Sequence, residues 1–385
     1  MVYYVKRGEI PDSRHTFTDR VRLVREELFG EESFDGLYSL LYHKQEPTAV
    51  TSVRREPQKP MSTKGDTSYV HRHLRTYMTQ REGDMVSGRR YTLYNDRVRL
   101  SVVKPLVQME YYFRSAMSEQ LFFVHSGTGI LFSPFGKLEF GRGDYVLVPK
   151  GTTYHMKVSD DASFFLLESR DRINVPQRYM NSYGQLKEGT PYYTRDIRVP
   201  EFSYDGLESC RETYVDFWDH FLIEEREGTL FDLEGYDGYL YPFAINVDRM
   251  APVVGKLHLP PPVHETFSGK SFMVGTFLPR KFDFHPRAIP ISYYHSNIDT
   301  DEVIFYSSGN FMSRRGISEG SITLHVRGLI HGPQPGAVED SIGKEGTDEV
   351  AVMVEAYDPL KLADDSLGLD DPDYMGSWIR KPNSR

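Results

Sequence analysis

From about residue 97 the chain is written in short apolar bursts. Residues 121–124 (Leu-Phe-Phe-Val), 129–132 (Gly-Ile-Leu-Phe), 145–148 (Tyr-Val-Leu-Val) and 164–167 (Phe-Phe-Leu-Leu) are separated by Gly, Pro, Asp and Ser. Short strands at regular spacing predict a β-sandwich or barrel. A second region of the same kind runs from about Tyr239 to Tyr357, with strands predicted at 303–306, 322–325 and 350–354. The stretch between them is rich in Pro, Gly and Arg over 174–200, and residues 211–224 form a bridging element of open type. Upstream, 21–28 reads as a short amphipathic helix ended by Gly30, and 44–66 as a polar, Pro-punctuated surface loop. Residues 362–374 are acidic and read as a surface tail held by Trp378. The pattern divides the chain into an arm and loop region (1–95), two β domains (96–215 and 216–360) and an acidic C-terminal tail (361–385). The expected fold class is therefore all-β dominated, with a weak long-range likeness between the two β domains.

Composition sharpens this picture. At 385 residues, 39% hydrophobic and 26% charged, the chain can bury a core without covalent staples. Tyr (26) and Phe (23) far outnumber Trp (2), which suits pleated, half-buried surfaces. Cys210 stands alone, so an intrachain disulfide is ruled out; a reducing cytosol and a cytoplasmic protein are expected. A net charge of −9 argues against nucleic acid as a partner, and the basic stretch from Arg54 to Lys64 reads as a solvated loop. No run of 18 apolar residues is present and residues 1–7 lack a secretory apolar region, so no membrane partner is expected.

The candidate chemistry lies in the second β domain. His295 is followed by Asn297, Glu302 and Gly309, then by Gly320, Gly328 and His331. This order resembles the paired motifs of the cupin superfamily, with Asn297 where a second His is usual and Val326 where a Pro is usual. Strand geometry supports it, because Glu302, Ile304 and Tyr306 share one face. In a small barrel His295, Glu302 and His331 can converge as two imidazoles and a carboxylate, the facial set of non-haem Fe(II) oxygenases; manganese suits the same ligands. Asp301 is a rival register for the carboxylate. The first β domain carries a decayed version of the motifs. Glu119 precedes Gly127, and Gly143 to Gly151 fits, but Tyr112 replaces the first His and His155 lies one residue late. It is read as structural. His71-Arg72-His73 lacks a third ligand nearby in sequence and is not read as a metal pair.

The wider chain resembles the homogentisate 1,2-dioxygenase family of bicupin iron enzymes. The likeness rests on residues 235–243 with Asn246, on Phe277-Leu278-Pro279-Arg280, on His325 with His331-Gly332-Pro333, and more loosely on 135–137 and 37–41. The resemblance implies two cupin-type barrels, with His295, Glu302 and His331 holding Fe(II) in the second. It implies an enzyme that cleaves homogentisate with both atoms of O₂ to give maleylacetoacetate. His264 would take the phenol proton, with His258 as rival, and His325 would stand beside a substrate hydroxyl. Phe311 falls where the family has a ring-contacting Tyr. Arg280 and Arg327, with Arg314 and Arg315, are the cations available for the acetate arm. A small aromatic substrate, O₂ and a homo-oligomer (trimer or hexamer) are the implied partners. The chain has four residues before Glu302 where the family has three, and is shorter than typical members. Gentisate or hydroquinone is therefore an alternative substrate, and a non-enzymatic metal-binding bicupin a second alternative.

Overall fold

A computed structural model describes residues 3–17, 23–259, 264–314 and 316–379. The apolar bursts are strands: Glu119–Ser126, Thr128–Ser133, Asp144–Val148, Ser163–Ser169, Asp301–Ser308, Ile322–His325 and Val350–Ala356 contain every one predicted. An eight-stranded sheet runs Ile197–Arg198, Phe243–Asn246, Asp144–Val148, Glu119–Ser126, Ser163–Ser169, Val98–Val103, Arg89–Tyr94, Lys361–Leu362. A seven-stranded sheet faces it, and Phe113, Leu131 and Tyr154 from one pack with Phe122, Val124 and Phe164 from the other. The architecture is all-β, built from facing sheets.

A six-stranded sheet positions the candidate chemistry. Its order is Glu265–Ser268, Phe272–Phe277, Val350–Ala356, Asp301–Ser308, Ile322–His325, Arg72–Leu74. Alternation along each strand sorts its side chains onto two faces. Val303, Phe305, Val352, Val354, Phe272 and Val274 join a core shared with the eight-stranded sheet, where Phe305 stacks on Phe165 with ring centroids 5.0 Å apart. Ile304, Tyr306, Met353 and Met273 gather on the opposite face. Gly309 ends the central strand with φ +95°, and a Cβ there would meet the Asp348 carbonyl oxygen at 2.5 Å, so the turn demands glycine.

Three expectations for the rest of the chain are corrected. The helix predicted at 21–28 is not formed within the described residues: Arg25–Gly30 is a strand paired antiparallel with Tyr38–His43, and residues 21–22 lie outside them. Pairing Leu28 with Leu40 satisfies backbone and side chain together, which a helix of about two turns cannot match. The bridging element resolves into the hairpin Glu212–Asp216 and His220–Glu225, and the exposed strand Ser52–Pro57, inside the predicted loop, pairs with its outer edge. The acidic C-terminal stretch is not a surface tail. It folds into the 3-10 turns Asp364–Leu369 and Tyr374–Trp378, with Leu369 and Tyr374 buried. Asp370 pairs with Arg72, and the Asp371 amide donates to the His73 carbonyl at 2.8 Å. Those acidic residues are fixed by partners about 300 positions upstream.

Candidate metal centre

The central strand opens with two adjacent carboxylates, and the pleat sends them to opposite sides. Asp301, fully buried, accepts from Tyr69, from Arg327 Nε at 3.1 Å and from the Leu360 amide at 2.8 Å. Glu302 faces the other way. The rival register at Asp301 is thereby corrected: every oxygen of that carboxylate is already engaged away from the imidazoles.

His295 and His331 are brought together by a two-residue bridge, each amide donating to the other's carbonyl at 2.9 Å. Their rings lie 4.4 Å apart, centroid to centroid. His295 Nε2 is 3.5 Å from Glu302 Oε2, and His331 Nε2 is 4.0 Å from Glu302 Oε1. The three ligand atoms lie within 4.8 Å of one another, the one such group of three among the described residues.

The donor set fits a divalent ion on local evidence. His331 Nδ1 donates to the Leu329 carbonyl at 2.8 Å and His295 Nδ1 to the Tyr293 carbonyl at 3.3 Å. Each ring thus carries its proton on Nδ1 and keeps the Nε2 lone pair for a ligand, the usual arrangement around a bound metal. His331 Nε2 is buried with no hydrogen-bond partner. A buried orphan nitrogen costs about 1–3 kcal/mol, which metal ligation would recover. Burial would raise the Glu302 pKa, but its contacts to His295 and His325 outweigh that and hold the group well below the usual carboxylate range.

Beside the triad lies a cavity of about 410 Å³. Met273, Phe277, Ile291, Ile304 and Met353 give it apolar walls, and His258, His264, Arg280, Arg314 and Glu355 add polar groups. His264 lines this cavity, and burial and the charge of Arg280 push its pKa down to about 4. Its Nε2 is 3.2 Å from the Val253 amide nitrogen and 3.3 Å from the Val253 carbonyl oxygen. Residues 261–263, just before it, lie outside the described set, as does Arg315. Arg280 lines the cavity with its guanidinium 3.9 Å from Glu349.

Three expected contacts are not made. Arg327 is committed to Asp301, Tyr69 and the carbonyls of Ala356 and Tyr357, and does not line the cavity. Phe311 is buried against Tyr306, with centroids 4.7 Å apart, in the packing behind the wall. His325 is fully buried behind Glu302: its Nδ1 is 2.6 Å from Glu302 Oε1 and its Nε2 2.9 Å from the Tyr374 hydroxyl. It touches the Glu302 carboxylate and does not line the cavity.

One carboxylate at the centre, Glu355, was not singled out in the sequence. Glu355 is the cross-strand partner of Glu302 and lines the cavity. Asn297 donates to both its oxygens at 3.1 and 3.0 Å, and Thr300 donates at 2.5 Å. Burial and the charge of Glu302 raise its pKa to about 7. Asn297, the residue in place of the cupin His, thus serves a neighbouring carboxylate. His71 accepts from the Val326 amide at 3.0 Å and meets the rings of His331 and Trp378. In the first β domain His155 lies between Tyr112 and Phe132, with Nδ1 3.3 Å from the Tyr111 carbonyl.

No family model matches the chain. Homogentisate 1,2-dioxygenases of Rhodopseudomonas palustris and Bradyrhizobium diazoefficiens are each 22% identical, over 69% and 72% of this chain. The match spans only 62% and 64% of their own lengths. Among solved structures, protein Ylba from E. coli aligns with TM-score 0.35 and 9% identity, over 74% of this chain and 90% of that one. A cupin 2 conserved barrel domain protein from Leptotrichia buccalis aligns with TM-score 0.35 and 8% identity, over 77% and 99%. A Saccharolobus solfataricus protein named "Putative dioxygenase SSO1533" is 43% identical over 382 residues, 98% of this chain and 99% of that protein. With that identity along nearly its whole length, the chain belongs to the family of this archaeal protein.

Proposed function

We propose that the protein is an Fe(II)-dependent ring-cleaving dioxygenase acting on a para-dihydroxy aromatic, with homogentisate the first candidate. The observation that carries this reading is the convergence of His295, Glu302 and His331 beside a cavity of about 410 Å³, a size suited to a small organic ligand. Fe(II) held by those three residues would supply Lewis acidity toward a phenolic oxygen and a common template for ring and O₂. The side chains do the rest. Met273, Ile304 and Met353 offer the ring an apolar wall that keeps water out. His264, neutral at physiological pH, lines the same space and is the candidate proton acceptor. Arg280 and Arg314 line the same space, and neither has a carboxylate within hydrogen-bond distance, so either guanidinium is available to a substrate carboxylate. Homogentisate and one O₂ would leave as maleylacetoacetate, both oxygen atoms incorporated.

Gentisate and hydroquinone remain the alternative substrates, because the likeness to homogentisate dioxygenases spans under two-thirds of those proteins. The test is oxygen uptake after anaerobic Fe(II) loading, with the three compounds in parallel. Fastest turnover of homogentisate at one O₂ per ring supports the reading. Equal or faster turnover of another diol redirects the substrate. A protein without stoichiometric iron that stays inert with all three favours a non-enzymatic bicupin. The same reading extends to a cytoplasmic homo-oligomer, trimer or hexamer, checked by light scattering on a size-exclusion column.

A further inference from the structure

His325 would be expected to face a substrate, yet both of its ring nitrogens are used elsewhere. Nδ1 lies 2.6 Å from Glu302 Oε1 and Nε2 lies 2.9 Å from the Tyr374 hydroxyl. An ionised carboxylate can only accept, so Nδ1 is the protonated nitrogen and Nε2 accepts from Tyr374. Oε1 of Glu302 is thereby taken, while Oε2 points toward His295 at 3.5 Å. The ring is clamped further by stacking on His331 at 5.2 Å and by the edge of Trp378 at 5.9 Å. Tyr374 and Trp378 belong to the C-terminal turn, which Gln334 ties down through Ser377 Oγ at 2.8 Å.

The geometry points to Tyr374 as a positioning residue for the metal centre: its hydroxyl fixes the tautomer of His325, which holds one oxygen of Glu302 and leaves the other to ligate the ion. This rests on the reading of His295, Glu302 and His331 as metal ligands. The C-terminal turn is then part of the site. Losing the tyrosine hydroxyl leaves His325 Nε2 an unpartnered buried acceptor. The ring is then free to settle in the other tautomer, which presents a lone pair to the Glu302 oxygen. Hydrogen-bonding partners one step removed from a metal typically change affinity 10–100-fold when lost.

The test is anaerobic titration with Fe(II), read as affinity rather than turnover, on the full chain. Tyr374→Phe should weaken binding 10–100-fold while the metal-free protein unfolds as wild type does. Ser377→Ala loosens the same turn without touching His325 and should bind as wild type. His325→Gln should also weaken binding, and adding Tyr374→Phe to it should cost nothing more, because the hydroxyl acts through that ring. Tyr374→Phe binding as tightly as wild type, additive losses in the double variant, or an equal loss in Ser377→Ala each overturn the inference while leaving the triad intact. A wild-type chain that takes up no Fe(II) overturns the triad and this inference with it.

Discussion

At the scale of single residues, the deciding feature is which nitrogen carries a proton. His295 and His331 each give Nδ1–H to a carbonyl two residues earlier, at Tyr293 and Leu329, so short local contacts prepare both Nε2 atoms. The convergence of these two rings with Glu302 was legible in sequence because the motif that carries them is local. The role of His325 was not, since its second partner, Tyr374, lies 49 positions away. Arg327 was misread for a similar reason: its carboxylate partner, Asp301, sits 26 positions upstream and one residue from the ligand. His264 is the residue whose chemistry can be separated from the metal. His264→Gln should lower kcat by roughly 10²–10³-fold with Fe(II) affinity unchanged, as expected for removal of a general base. Steady-state rates beside a metal titration check this; a fall in affinity instead would mean that His264 shapes the ligand set.

At the scale of elements, the six-stranded sheet does two jobs through one alternation. The face bearing Phe305 and Val354 fastens the sheet to its neighbour, and the face bearing Glu302, Ile304 and Met353 builds the cavity. This parity could be read from the sequence, because a strand has period two whatever it pairs with. The pairing itself could not. Glu355 reaches the site only because its strand lies antiparallel to Asp301–Ser308 in the register that sets Glu302 opposite it. The strand Arg25–Gly30 was misjudged as helix for the same reason, as its six residues gain stability only from Tyr38–His43. Phe305 is the joint between the sheets, buried and stacked on Phe165. Phe305→Ala should cost about 3–5 kcal/mol in urea unfolding, with a large-to-small cavity as the cause. A loss under 1 kcal/mol would show that the two sheets do not depend on that contact.

At the scale of the whole molecule, strands from distant parts of the chain are exchanged between sheets. Arg72–Leu74 completes the sheet of the candidate metal centre, and Lys361–Leu362 edges the eight-stranded one. The C-terminal acids are clamped where a composition-based reading saw a loose tail, because composition does not show Arg72 beneath Asp370 or His73 beside Asp371. A pH dependence follows from the four-stranded sheet that joins residues 5–8, 25–30, 38–43 and 233–238. Burial of His43 would lower its pKa, but Asp232 at 2.7 Å and Glu27 at 2.8 Å outweigh that and raise it to about 9. A folded-state pKa above the unfolded value of about 6.5 stabilises the fold fully below pH ~6.5, and that contribution disappears as pH rises through about 9. The urea midpoint should therefore fall between about pH 6.5 and 9, and His43→Gln should flatten that limb. An unchanged slope in the variant would place the titrating group elsewhere.

The central claim is that three side chains on neighbouring strands and loops hold one divalent ion with open positions beside the cavity. It is tested most directly by crystals grown with Fe(II) under argon and measured across the iron absorption edge. One anomalous peak per chain, in contact with His295 Nε2, Glu302 Oε2 and His331 Nε2, is the predicted result. A crystal with no such peak, or with iron bound at other residues, contradicts the account.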